Sequence, residues 1–171
     1  QFGFSKKSTN DLVYEKIGSI PSARRLNNEI YKATCSYGYG MKANLMQLIR
    51  AYSSFNNNGK ITSPKLISNY IDGFNRNIDA EEPEEDQMQV IKSSTAKRMQ
   101  KILIKTVQEG TGTKAKTDGL IIGGKTGTAH IVEKGQYVKK YNTAFVGFVN
   151  DNTHSYTMGV VVIEPKKSQF A

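Results

Sequence analysis

The residues with the clearest capacity for chemistry lie together in Gly123-Gly124-Lys125-Thr126-Gly127-Thr128-Ala129. One cation and two hydroxyls stand among glycines, a set suited to holding an anionic group against exposed backbone. Two kinds of chemistry fit those residue types. With Gly119 the segment completes G-x-x-x-x-G-K-T, the phosphate loop of a nucleotide hydrolase, and Val160–Glu164 imitates an apolar strand ending in an acid. A phosphate loop, however, must join a strand to a helix whose N-terminus faces the phosphates. Here Gly127 follows the Lys-Thr pair at once, and bulky Leu120, Ile121 and Ile122 fill the positions of the open loop. The other chemistry belongs to a strand edge. A peptide could lie along it and pair with its backbone, and Gly127 would leave room for close approach. Lys125 would supply positive charge, the Thr126 and Thr128 hydroxyls would bind a carboxylate, and a backbone N–H would serve an oxyanion.

Other reactive side chains are isolated. Cys35 is the only cysteine and has no histidine beside it, so a buried, inert thiol is expected. The two histidines, His130 and His154, have no metal-ligand spacing. Ser94-Thr95-Ala96-Lys97 spells S-x-x-K and Ser8-Thr9-Asn10 spells S-x-N. As isolated patterns they read as helix-cap and turn residues.

The elements that must position the Lys125 segment follow from periodicity. Gln1 to Ser36, broken by Gly3, Gly18 and Pro21, reads as loops and turns. Leu45, Leu48, Ile49, Tyr52 and Phe55 recur at helical spacing, and 56–59 ends that helix. Residues 61–72 read as extended, and 73–89 as an acidic surface loop. Ser93 or Ser94 is expected to cap a second helix carrying Met99, Ile102, Leu103 and Val107, stopped by Gly110. Residues 110–116 read as a mobile connector. Three strands are expected at Leu120–Ile131, Tyr141–Asn150 and Tyr156–Ile163, joined without helices and therefore as an antiparallel meander. The fold class expected is α+β, an antiparallel sheet with a three-strand C-terminal meander packed with helices, one of whose faces needs cover from elsewhere.

Length and charge bound the rest. A chain of 171 residues with 37% apolar content suits one domain with a core. No apolar run is long enough to cross a bilayer and nothing resembles a signal peptide. The net charge of +9 arises from 24 Lys and Arg against 15 Asp and Glu. Six of the acids (Asp79, Glu81, Glu82, Glu84, Glu85, Asp86) fall in one stretch, so the remainder is strongly basic. A basic binding module for a polyanion is therefore an alternative, although the bases are dispersed, as on a solvated surface.

The flanks of the Lys125 segment carry a family resemblance. Asn28–Gly40 and Gln47-Leu48-Ile49-Arg50-Ala51-Tyr52 resemble successive blocks of class B penicillin-binding proteins, and Phe2-Gly3-Phe4 with Glu15 resembles the stretch before them. Gly110-Thr111-Gly112-Thr113 is similar to the loop preceding their K-T-G box, and Ala144–Phe148 and Val160–Ile163 to their closing strands. The blocks come in the family's order over nearly the whole chain, with the division-specific, septal type most similar. The resemblance implies a partial penicillin-binding/β-lactamase-like transpeptidase fold and a serine D,D-transpeptidase that cross-links peptidoglycan through an acyl-enzyme. Its ligands would be D-Ala-D-Ala stem peptides and β-lactams, with no cofactor, metal or nucleic acid. Lys125 would be catalytic in proton traffic. Thr126, Gly127 and Thr128 would bind substrate, and the Thr128 N–H would complete the oxyanion hole. In the family's order an S-x-x-K box and an S-x-N box precede K-T-G, so Ser94–Lys97 and Ser8–Asn10 stand in the wrong places. Residues 1–171 are then expected to be the C-terminal half of the domain, with the upstream half bringing the nucleophile. The resemblance further implies a place on the periplasmic face of the inner membrane, an anchor outside this chain, and division proteins as possible partners.

Overall fold

The computed structural model describes residues 1–9, 11–80 and 87–166. Its elements run α1 (Ala23–Leu26), α2 (Glu29–Cys35), α3 (Leu45–Asn56), β1 (Asn69–Ile71), β2 (Asn77–Asp79), α4 (Ser93–Glu109), a 3-10 turn (Thr113–Ala115), β3 (Ile121–Glu133), β4 (Gln136–Asn150) and β5 (Ser155–Ile163). The architecture is α+β, with a three-stranded antiparallel sheet in the order β3-β4-β5 and a separate β1-β2 hairpin.

Helix α3 starts where local chemistry favours it. The Asn44 side chain accepts from the Gln47 amide at 2.8 Å, and the Gln47 side chain accepts from the Asn44 amide at 3.2 Å, a reciprocal capping box. Its apolar stripe lies against β4 and β5, and Gly159 makes the approach possible, since a Cβ there would meet Leu45 and Ile49 side chains. Asn58 and Gly59, with φ of 50° and 92°, turn the chain away after the last helical residue. Helix α4 lies along β3 and buries Ala96, Leu103 and Val107 on one face. The core between helices and sheet centres on Phe148, Val146, Val107 and Ile61. On β5, Tyr156, Met158, Val160 and Val162 share the other sheet face and stay exposed.

Several local expectations are corrected. Helices α1 and α2 occupy part of the stretch read as loops, and Asn28 caps α2 by accepting from the Tyr31 amide at 2.9 Å. Neither helix buries a residue, so neither leaves an apolar stripe to read. Cys35 is half-buried, not buried. Residues 77–79 form a strand inside the expected loop, while Glu81 to Asp86 lie outside the described residues. Lys92 takes the cap position of α4, and the Ser93 hydroxyl donates instead to the Asn58 carbonyl at 2.9 Å. β3 ends at Glu133, slightly beyond the expected Ile131, β4 begins at Gln136, well before the expected Tyr141, and the two meet in a two-residue turn, Lys134-Gly135, both at positive φ (49° and 81°).

The N-terminal segment is held to α3 by a buried polar cluster. The Glu15 carboxylate accepts from the Ser8 amide at 2.7 Å, the Ser8 hydroxyl at 2.6 Å and the Asn44 side-chain amide at 2.6 Å. Fully buried Gln47 donates to the Lys6 and Ile17 carbonyls at 2.7 and 2.9 Å. Partial burial pushes the Glu15 carboxyl up, but these hydrogen bonds outweigh it and hold the group below its usual value. Glu15→Ala is expected to cost about 1–3 kcal/mol, because buried Ser8 loses its acceptor. In wild type the contribution is fully present above the unfolded carboxyl pKa of about 4.3. It is lost as pH falls through the lower folded value, where the unfolded state binds the extra proton. Chemical denaturation of wild type and variant across pH 3–7 checks both size and sign, since the gap between them must narrow toward acid.

Candidate active site

Strand β3 is an edge of the sheet, and Lys125 to Thr128 lie in its middle, paired to β4 throughout: Lys125 with Val146, Thr126 with Phe145, Gly127 with Ala144, Thr128 with Thr143. No helix follows, so Gly119–Thr126 does not build a phosphate loop. The direction of each backbone group follows from the ladder. The Glu164 amide donates to the Tyr141 carbonyl at 3.1 Å, which makes Asn142–Ile163 a non-hydrogen-bonded pair. From 141 to 150, odd-numbered β4 residues therefore turn their backbone to β5 and even-numbered ones to β3. By the observed register, Lys125 and Gly127 are the β3 residues whose backbone faces β4. The N–H and C=O of Thr126 and Thr128 point to the open edge of the sheet.

The side chains gather at that edge. Lys125 Nζ donates to the Thr126 carbonyl at 2.9 Å and lies 3.4 Å from both the Thr126 and Thr111 hydroxyls, which are 3.0 Å from each other. Lys125 remains exposed to solvent. Sequence reasoning assigned Thr111 no role. It is set in place by the end of α4, where the Gly110 and Gly112 amides both donate to the Thr106 carbonyl, at 3.0 and 3.1 Å, and Gly112 packs on Val107. The hydroxyls flanking Gly112 were the available signal, but only the fold brings one of them to Lys125.

Glycines in β3 have two different reasons to be there. A Cβ on Gly123 or Gly124 would collide with the ring of Phe148 or Phe145. Among the described residues, a Cβ on Gly127 would meet nothing within 4 Å beyond its own chain neighbours. Gly124→Ala is thus expected to destabilise the fold by about 1–3 kcal/mol through overpacking. Gly127→Ala should leave the melting temperature nearly unchanged and weaken only a ligand lying on the edge. Thermal melts of the two variants, side by side, test the distinction.

The other sequence candidates are not brought to this edge. Buried Ser8 is committed to Glu15, Ser94 sits in the first turn of α4, and no hydrogen bond links either to Lys125 among the described residues. Asn10 lies outside the described residues. His154 belongs to the β4–β5 turn, where Asp151 accepts from the Thr153 and His154 amides. Those backbone bonds, Thr153 first, hold the Asp151 carboxyl down at about 2. No described helix is long and apolar enough to cross a membrane.

Comparison with known proteins gives a family match over residues 1–171 to the penicillin binding protein transpeptidase domain. Stage V sporulation protein D of Bacillus subtilis is 31% identical over 166 residues, covering 96% of this chain and 26% of the relative. The probable peptidoglycan D,D-transpeptidase PenA of Neisseria flavescens is 32% identical over 153 residues, covering 88% of this chain and 35% of the relative. Penicillin-binding protein 3 of Mycobacterium tuberculosis in its apo form superposes with a TM-score of 0.85 at 24% identity, over 97% of this chain and 39% of that one. Its complex with ampicillin gives 0.83 at 25% identity, over 96% and 38%. The chain thus spans about a quarter to a third of the length of these curated relatives.

Proposed function

Because this chain belongs to the penicillin-binding protein transpeptidase family, with class B proteins as its relatives, we propose that it forms the donor-binding side of a serine D,D-transpeptidase. The observation that carries the proposal is the open edge of β3, where Lys125 stands beside outward-facing Thr126 and Thr128 backbone. A D-Ala-D-Ala stem peptide lies along that edge as an added strand. The hydroxyls of Thr126 and Thr128, next to the Lys125 charge, hold its terminal carboxylate. The scissile carbonyl oxygen receives the Thr128 N–H.

A serine supplied by polypeptide outside residues 1–171 attacks that carbonyl. Its proton passes through a neighbouring base to the departing D-Ala amine as the peptide bond breaks. The amine of a second stem then attacks the acyl-enzyme, forms the cross-link and releases the serine. Lys125 keeps the local potential positive, which favours the serine alkoxide and the oxyanion and orients the proton path. β-Lactams present a carboxylate and a strained amide in the same relation and acylate the same serine. The full-length protein is placed on the periplasmic face of the inner membrane, held by an anchor outside this segment, with division proteins as its partners.

Fluorescent penicillin provides the test. A full-length protein carrying this segment should be labelled covalently, and excess ampicillin should block the label. A protein that is folded and never labelled would overturn the reading.

A further inference from the structure

Beyond the Lys125–Thr128 edge, the β3-β4 hairpin carries a chain of aromatic contacts that the proposed chemistry does not use. His130 meets Tyr141 with centroids 4.5 Å apart and Tyr137 at 5.9 Å. Tyr137 meets Tyr39 at 6.5 Å, and Tyr39 meets Tyr37 at 5.8 Å, both edge to face. These rings gain little from burial, since Tyr37, Tyr39 and Tyr137 are 67%, 46% and 64% exposed. The T-shaped contacts fix their orientation while leaving ring surface open to solvent. Its ring contacts put His130 on one face of the hairpin with Tyr137 and Tyr141, on either side of a bulge in the ladder between His130 and Val132, and the register puts Thr128 on the same face.

We propose that this aromatic cluster is a saccharide-binding subsite for the glycan that carries the donor stem peptide. The inference rests on the reading above, which fixes the direction of the substrate. If the terminal carboxylate sits by Lys125 and Thr126 and the next carbonyl inward sits at Thr128, the rest of the stem runs toward His130 and the hairpin tip. A stem that continues extended for four residues past that carbonyl reaches about 13 Å. Four residues along β3 from Thr128 is Val132, whose partner is Tyr137. The sugar end of the stem therefore arrives at the rings. Pyranose rings offer apolar C–H faces that stack on the electron-rich face of an aromatic ring, and a hydroxyl rim that suits His130 and the tyrosine hydroxyls. Lys140, next to Tyr141, is engaged by Glu133 at 2.8 Å and Glu164 at 3.8 Å, which weakens its draw on an anion.

The test uses the full-length protein, with Tyr137→Ala and Tyr39→Ala made at exposed positions. Glycan strands stripped of their peptides are the probe, followed by saturation-transfer NMR. Signal on sugar protons should appear with wild type and fall at least severalfold in both variants. With penicillin labelling as a parallel assay, the kcat/KM ratio of glycan-linked to sugar-free stem peptide should drop about tenfold. No transfer to bare glycan, or an equal fall with both substrates, would mean that the rings serve the peptide or the fold and overturn the subsite. Loss of penicillin labelling in wild type would instead remove the transpeptidase reading, while leaving the glycan binding to be read on its own.

Discussion

Replacing Lys125 by alanine is expected to slow penicillin acylation of the full-length protein about a thousandfold, with the fold intact. The side chain is exposed and its ammonium lies at the sheet edge, so its removal leaves no buried cavity. What it takes away is a cation beside two hydroxyls and a carbonyl at the edge of β3. Groups that move or steer a proton in the transition state contribute roughly 10²–10⁴-fold. Lys125→Arg separates the two parts of that role. It restores the charge but cannot give up a proton at working pH, so recovery of most of the rate assigns Lys125 to electrostatics, and no recovery assigns it to proton transfer. Stopped-flow labelling with fluorescent penicillin, alongside circular dichroism, reads both. An alanine variant that acylates at the wild-type rate would remove Lys125 from the mechanism.

The second large effect concerns a backbone group. Thr128→Pro should lower acylation by about 10²–10³-fold, the range for loss of one oxyanion-hole donor. Proline is tolerated on an edge strand when the missing N–H faces away from its neighbour, and the register directs the Thr128 N–H away from β4. Thr128→Ser and Thr128→Ala complete the comparison, since they keep the amide and alter only the hydroxyl and methyl. The proline variant should be far slower than either. Equal rates for proline and alanine would show that the side chain, and not the amide, is the group used.

Much of this arrangement is legible in the residues. The α3 stripe and its stop come from ordinary helical spacing, and the Gln47 to Tyr52 block carries the family resemblance in its residues alone. Gly127 directly after Lys125-Thr126 was enough to argue a strand over a phosphate loop, and β3 runs unbroken through that point. What escaped sequence reading did so for identifiable reasons. Helices α1 and α2 bury no residue, so periodicity is silent about them. The long hairpin was shortened because Lys134-Gly135 lacks the Asn or Asp that usually announces a turn with both residues at positive φ. Thr111 reaches Lys125 only through the way α4 ends, and the Tyr39 to Tyr137 contact joins segments nearly a hundred positions apart. Such proximity is a property of the assembled sheet and has no local signature.

The donor edge can be observed directly with selective 15N-threonine labelling of the full-length protein, assigning Thr126, Thr128, Thr143 and Thr157 by substitution. On acylation by penicillin, the amide signals of Thr126 and Thr128 should move, Thr128 most of all, while Thr143 on the central strand and Thr157 on β5, away from this edge, stay in place. Covalent labelling that leaves Thr126 and Thr128 unmoved would contradict the assignment of this edge to the donor.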